Sequence, residues 1–192
     1  FCDVFFSLLG LIVLSPIFVI IALCIVLDSR GGVFYRQVRV GRGGKDFRLF
    51  KFRSMASGAD KKGLITVGAK DSRVTRVGYF LRRYKLDELP QLLNVVRGEM
   101  SLVGPRPEVR KYVDMYTVEQ RKVLAVAPGI TDYASIEYAD ENTILGQARD
   151  PDRAYVEQIM PDKIRYNMKY IDNRCLKEYF KIIFLTLMKI VK

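Results

Sequence analysis

The chain has 192 residues, enough for one domain with its own core. Lys and Arg number 32 against 21 Asp and Glu, a net charge of +11 that favours anionic partners: a phospholipid surface, a nucleotide, a lipid-linked phosphate or nucleic acid. The sequence has no histidine, which excludes the usual neutral-pH proton shuttle and the commonest zinc ligand, and Cys2, Cys24 and Cys175 lack metal-ligand spacing and argue against a disulfide framework.

Residues 4–27 carry no charged side chain and are apolar on every side, unlike a cytosolic surface helix. Ser15 and Pro16 fall in the middle, where proline removes a backbone donor and predicts a bend. The residues leave a spanning helix and a re-entrant helix-break-helix nearly equal, with a signal peptide less favoured because no basic leader or cleavage site is visible. Arg30, Arg36, Arg39 and Arg42 follow the segment and suit a cytoplasmic exit.

Val33 to Val40 reads as a short strand, and Gly41, Gly43 and Gly44 as a turn. Phe47 to Phe52 is expected to be a half-buried strand or extended arm. Residues 57–72 read as a polar loop. Val74 to Arg83 is expected to be helical with Val77, Phe80 and Leu81 inward. A helix over Asp87 to Val96 would align Leu89, Leu92, Leu93 and Val96, with Asp87 as N-cap and Pro90 in the first turn. A compact Gly- and Pro-rich segment follows at Ser101 to Pro107. Val109 to Val126 has a helical pattern, 132–152 is acidic, and Pro161 begins another helix. Leu176 to Lys192 is amphipathic and basic, suited either to a membrane interface or to packing on the core.

The adjacent acids Asp87 and Glu88 admit an ordinary explanation as helix-start residues. Arg82, Arg83 and Lys85 precede them, and the rigid basic segment Gly104-Pro105-Arg106-Pro107 follows. A carboxylate nucleophile among cations suits phosphoryl chemistry on an anionic donor. Arg106 is the first candidate for gripping phosphate, because guanidinium donors pair with phosphate oxygens. Arg36, Arg39, Lys51 and Arg53 are further candidates for phosphate or headgroup contact.

Taken together, the blocks resemble the bacterial sugar transferase family, the small monotopic phosphoglycosyl transferases. The resemblance rests on the Ser15-Pro16 segment, Phe34 to Gly41, Phe47 to Met55, Leu86 to Leu92, Met100 to Pro107 and Pro128-Gly129-Ile130-Thr131, nearly the whole chain in order. It implies an α+β monotopic membrane protein. Residues 1–28 would be a re-entrant membrane helix broken at Ser15-Pro16. Residues 29–192 would form a compact, mainly helical catalytic domain with short strands and interfacial amphipathic helices. The place implied is the cytoplasmic face of the bacterial inner membrane. No additional multi-helix membrane portion of the kind found in larger relatives is visible, which reads as the minimal catalytic form.

By resemblance, Asp87 is the nucleophile and Glu88 assists as ligand to Mg2+. The reaction implied takes a phospho-sugar from a UDP-sugar donor onto Asp87, releases UMP, and passes the phospho-sugar to polyprenol phosphate, undecaprenyl phosphate being the expected carrier. After Thr131 many members continue with glycine and tryptophan. Here Asp132, Tyr133, Ala134 and Ser135 stand instead, so the donor pocket is expected to differ and the sugar stays open between an acetamido sugar and a hexose. A homodimer is compatible with the sequence. A basic lipid-binding scaffold without catalysis and a glycosyltransferase releasing UDP are the alternatives. No nucleic-acid partner is expected, because no stacking module, recognition helix or zinc site is visible.

Overall fold

The computed structural model describes residues 2–59 and 71–191; most of the loop expected over 57–72 lies outside them. The architecture mixes helices with short strands. Helix α1 spans Cys2–Asp28 and is long and apolar enough to cross a membrane by length and composition. Strands β1 (Phe34–Val40) and β2 (Asp46–Phe52) form an antiparallel hairpin through a turn at Arg42–Gly44. Then come α2 (Arg76–Arg83), a 3-10 turn (Leu86–Glu88) and α3 (Gln91–Val96). Strand β3 (Ser101–Val103) pairs in parallel with β4 (Gly129–Thr131). Between them lie α4 (Arg110–Val113) and a 3-10 stretch (Gln120–Ala125). After β4 come α5 (Tyr133–Glu137), α6 (Glu141–Gln147), α7 (Pro151–Ala154), a π turn (Tyr155–Ile159), α8 (Met160–Asp172) and α9 (Leu176–Val191).

Helix α1 runs through Ser15 and Pro16 as one helix, and the expected interruption is confined to its hydrogen bonding. Pro16 has no N–H to give the carbonyl of Ile12, and the Ser15 hydroxyl donates to that same carbonyl at 2.8 Å. The Ser-Pro pair therefore supplies its own replacement donor, which matters most where no water can serve the carbonyl.

Both ends of α1 are fastened to the rest of the chain. Near its start, the Asp3 carboxylate accepts from the Leu102 N–H (3.1 Å), the Ser101 hydroxyl (3.1 Å) and the Tyr179 hydroxyl (2.7 Å), tying it to β3 and α9. At its end, Asp28 accepts from the Val77 N–H of α2 at 3.1 Å. The Arg53 guanidinium donates there to the carbonyls of Gly32 (2.6 Å), Ser29 (2.8 Å) and Arg30 (3.0 Å) and to the Ser29 hydroxyl (2.8 Å). Asp28 thus serves a first-turn N–H of α2, and Arg53 holds the carbonyls of the turn that leaves α1. Ile21 and Ile25 of α1 pack with Phe52 and Leu81. Most of the helix's remaining large apolar side chains are exposed.

Five expectations need correction. Phe80 points outward and packs against Tyr84 with the rings tilted and their centroids 4.8 Å apart; only Leu81 of α2's large apolar residues is fully buried. Asp87 is not a helix cap, because the stretch 87–96 divides into the 3-10 turn and α3, whose N-cap is Pro90. Residues 109–126 do not form one helix but split around Thr117, whose N–H bonds to the Gln120 side chain. On α3 the fully buried side chains are Gln91, Asn94 and Val95 rather than the leucines. Asn94 is buried because it works as a clamp: it accepts from the Phe50 N–H at 2.9 Å and donates to the Arg48 carbonyl at 2.8 Å, holding β2. Pro161 lies in the first turn of α8, after the π turn, so helical backbone begins ten residues earlier than expected. Helix α9 packs on the core through Ile182, buried with Val103 and Tyr170, and leaves Phe180, Phe184 and Leu187 exposed.

Candidate active site

The site begins with a reversal of the chain. Helix α2 ends at Arg83, and Lys85 adopts a left-handed backbone (φ 56°), the one non-glycine with positive φ among the described residues. The turn Leu86–Glu88 then opens. Leu86 and Leu89 stand three residues apart, which places them on one face of a 3-10 turn. Both pack against the cluster of Ile21, Ile25, Phe52 and Leu81. The leucines thus anchor the turn, and Asp87 and Glu88 between them line a cavity of about 990 Å3, a volume suited to a nucleotide-sized ligand.

Two further elements bring cations to the acids. Lys51 projects from β2, and its ammonium lies 3.0 Å from Glu88 Oε1. Arg106 comes from the extended segment after β3 and grips both Glu88 oxygens, with NH1 3.0 Å from Oε2 and NH2 on Oε1. The Arg106 backbone is fixed in turn, its N–H donating to Asp132 Oδ2 at 2.9 Å. The neighbouring Pro105 carbonyl accepts from Gly129 N–H at 2.9 Å.

The two acids differ electrostatically. Asp87 is 7% exposed and shares in none of the ion pairs among the described residues. Burial pushes its carboxyl above the ordinary value, partly offset by the charge of Lys51, with Glu88 pushing the same way as burial. Glu88 also feels burial, but the Arg106 and Lys51 charges outweigh it and hold its carboxyl well below the usual carboxylate range. Burial lowers Lys51, with Glu88 opposing. Glu88 raises Arg106 further. One carboxylate is held ionised by two cations, and its neighbour is desolvated and left available.

Of the residues singled out from sequence, Asp87, Glu88, Arg106, Lys51 and Arg39 line this one cavity. Arg39 donates to the Pro107 carbonyl and to Glu108, each at 3.1 Å, and burial lowers its pKa. It therefore braces the backbone next to Arg106. Arg36 is elsewhere, its guanidinium 4.9 Å over the Phe50 ring. Arg53 is not placed to meet phosphate; it is buried against the carbonyls of the turn that follows α1. Arg53→Ala is accordingly expected to lower stability in detergent by about 2–4 kcal/mol. Chemical denaturation checks this, and weakened donor binding with unchanged stability would contradict it. Ser15 and Pro16 belong to α1 and do not line the cavity.

Sequence reasoning placed only the run containing Ser135 near a pocket and missed the rest of the cavity's other wall, where Glu108, Tyr155, and Lys163 and Asn167 of α8 converge with it. Glu108, which directly follows the Gly-Pro-Arg-Pro run, was the residue with a local signal. Among the described residues no cluster of three or more acidic, Cys or His side chains is arranged to hold a metal. Glu88, the acid beside Asp87 that Arg106 and Lys51 hold ionised, is a single carboxylate that would suit Mg2+ shared with substrate phosphates and water rather than a cage of protein ligands.

A family model described as bacterial sugar transferase matches residues 1–192. The chain is 36% identical over 192 residues to an Aeromonas hydrophila protein named UDP-N-acetylgalactosamine-undecaprenyl-phosphate N-acetylgalactosaminephosphotransferase, covering 98% of this chain and 42% of that protein. It is 40% identical over 190 residues to a Klebsiella pneumoniae protein named UDP-glucose:undecaprenyl-phosphate glucose-1-phosphate transferase, covering 97% of this chain and 38% of that one. The chain thus spans less than half the length of these two relatives.

Proposed function

The chain belongs to the bacterial sugar transferase family, and on that premise we propose that it transfers a phospho-sugar from a UDP-sugar to a polyprenol phosphate such as undecaprenyl phosphate. The observation that carries this is the pairing of a desolvated, unpaired Asp87 with a Glu88 already neutralised by Arg106 and Lys51. An Asp87 oxygen attacks the sugar-linked phosphorus. The bond from that phosphorus to the bridging oxygen breaks, UMP leaves, and an acyl phosphate carrying the sugar remains on Asp87. The phosphate oxygen of the polyprenol phosphate then attacks the same phosphorus, releasing the Asp87 carboxylate and forming polyprenol-diphosphate-sugar. The second nucleophile is already an anion, so no histidine base is needed.

All three reacting partners are negative, so charge must be managed by the walls. Arg106 and Lys51 occupy Glu88 without substrate and are positioned to transfer donors to arriving phosphates. Glu88 would hold Mg2+, which would supply charge neutralisation for the phosphates and the leaving group. Lys51, Arg82 and Lys85 favour the ionised form of Asp87. Arg39 keeps Pro107 and Glu108 in place beside Arg106.

The membrane placement belongs to the same proposal. A helix fastened at Asp3 and again at Asp28 to one globular body supports a re-entrant segment, both ends on the cytoplasmic face, over a span that carries the domain on one side only. Residues 1–28 then form the membrane segment and 29–192 the interfacial catalytic domain. The exposed Phe180, Phe184 and Leu187 of α9 suit contact with the bilayer interface.

The test incubates the protein with labelled UDP-sugar, Mg2+ and polyprenol phosphate and identifies both products. UMP together with a diphosphate-linked lipid sugar is expected. Release of UDP, or of no nucleotide across a donor panel, overturns the proposed reaction.

A further inference from the structure

Buried polar groups are nearly always hydrogen-bonded, so one that has no partner calls for a reason. Among the described residues four side-chain atoms are buried without a partner: Ser7 Oγ, Gln91 Nε2, Ser135 Oγ and Asn167 Oδ1. Ser7 and Gln91 do not line the active-site cavity, whereas Ser135 and Asn167 both do. They come from different elements, Ser135 from α5 and Asn167 from α8, and these two helices pack against each other. Asn167 is 5% exposed as a residue, so its orphaned oxygen is not an ordinary surface amide.

The position of Ser135 relative to the reacting groups is fixed by one carboxylate. Asp132, fully buried, accepts from the Ser135 N–H through Oδ1 at 2.5 Å and from the Arg106 N–H through Oδ2 at 2.9 Å. The first turn of α5 is therefore joined rigidly to the backbone of the arginine that holds Glu88.

From this arrangement we propose that Ser135 and Asn167 form the subsite for the sugar ring of the donor, reading its hydroxyl or acetamido groups. This rests on the phosphoglycosyl transfer proposed above. Neither side chain is charged, so neither competes for the phosphates, which fall to Arg106 and Lys51. Asn167 Oδ1 calls for a donor, and a sugar hydroxyl or an acetamido N–H is one; Ser135 Oγ can give or accept. The sugar is bonded directly to the phosphate that Asp87 attacks, while the uridine lies one phosphate farther away. The neutral subsite one carboxylate from Arg106 therefore corresponds to the nearer group.

A buried polar atom with no partner costs stability until a ligand satisfies it, and this separates a binding role from a structural one. The test uses Ser135→Ala and Asn167→Leu in the full chain, with UDP-N-acetylgalactosamine, UDP-glucose and UMP as probes. Binding is read directly, without turnover, and UMP release is read separately. Each substitution is expected to leave the thermal midpoint unchanged or higher. Each should weaken binding of at least one UDP-sugar about tenfold, one hydrogen bond's worth. Each should also change the preference between the two sugars and leave UMP binding unaltered. Equal loss of UMP and UDP-sugar binding would assign the subsite to uridine and overturn the proposal. Unchanged sugar binding, or a fall in thermal midpoint accompanying every loss, would overturn it as well. Because the binding arm needs no chemistry, UDP-sugar binding that depends on these residues without UMP release would sink the reaction scheme and leave the subsite standing.

Discussion

Replacing Asp87 with Asn is expected to abolish the covalent phospho-sugar adduct and to cut UMP release about a thousandfold or more, while leaving the protein as stable as before or more stable at neutral pH. Replacing its neighbour, Glu88→Gln, is expected to do the opposite to stability. The reason is that burial raises Asp87 while Arg106 and Lys51 depress Glu88. For Asp87, the raised folded value means that the protonated form favours folding. That contribution is full below the unfolded carboxylate range near about 4 and is lost as pH rises through the folded value. At pH 7 the ionised group is a liability, and an uncharged amide removes it. For Glu88, the stabilising contribution is present above the same range and is lost as pH falls through its depressed folded value. Its removal at pH 7 leaves Arg106 and Lys51 without their partner and costs about 2 kcal/mol, less than a fully buried pair because the Arg106 side chain is 31% exposed. Denaturation of both variants at pH 7, with mass detection of the adduct, checks the pair of expectations. Equal destabilisation by the two substitutions would contradict the electrostatic division. The acid limb of UMP release should also lie above the ordinary aspartate range, since the nucleophile is active only when ionised.

The second large effect is expected at Gly129→Ala. A Cβ built on Gly129 would lie 2.1 Å from the Gly104 nitrogen, 2.4 Å from its carbonyl oxygen and 2.6 Å from its Cα. All three are backbone atoms and cannot rotate away. The strands β3 and β4 would have to separate, straining the bonds from Ser101 N–H to the Pro128 carbonyl (2.8 Å) and from Gly104 N–H to the Thr131 carbonyl (3.0 Å). Since Gly104 leads directly into Pro105 and Arg106, the displacement would also move the guanidinium off Glu88. A loss of about 4 kcal/mol or more is expected, enough to prevent folding in a protein of ordinary stability. Gly32→Ala serves as comparison, because a Cβ there meets only the Phe34 carbonyl oxygen at 3.9 Å and should be tolerated. Folded yield and circular dichroism of the two variants decide the matter; a well-folded Gly129→Ala would contradict the close approach.

What could be read from the sequence was what repeats or clusters locally. The strand and turn over residues 33–44 were visible through apolar alternation and glycine, though their pairing with 46–52 was not, and Asp87-Glu88 with Arg106 stood out through charge and proline. The extent of each helix after residue 84 was less legible. Leu89, Leu92 and Leu93 look like a core face, yet the fully buried places on α3 go to Gln91 and Asn94, since the backbone of β2 requires a hydrogen-bonding partner more than further apolar area. Phe80 was expected inward on hydrophobicity alone, although an exposed aromatic beside Tyr84 is equally apolar in pattern. Arg53 resembled the other basic residues because sequence does not show that the turn after α1 presents its carbonyls to a distant strand end. Ser135 was marked only as part of the departing run Asp132 to Ser135, and Asn167 carried no signal, as the meaning of both depends on what fails to meet them.

The double attachment of α1 has a consequence for its length. One residue inserted into an α-helix advances the far end by about 1.5 Å and rotates it by about 100°. With Asp3 seated on Leu102 and Tyr179 and Asp28 on Val77, such an insertion would leave one of the two carboxylates facing away from its seat. The helix behaves as a strut cut to the domain, so its dimensions answer to the distance between two sockets in the protein and would leave it little freedom to follow the thickness of a bilayer.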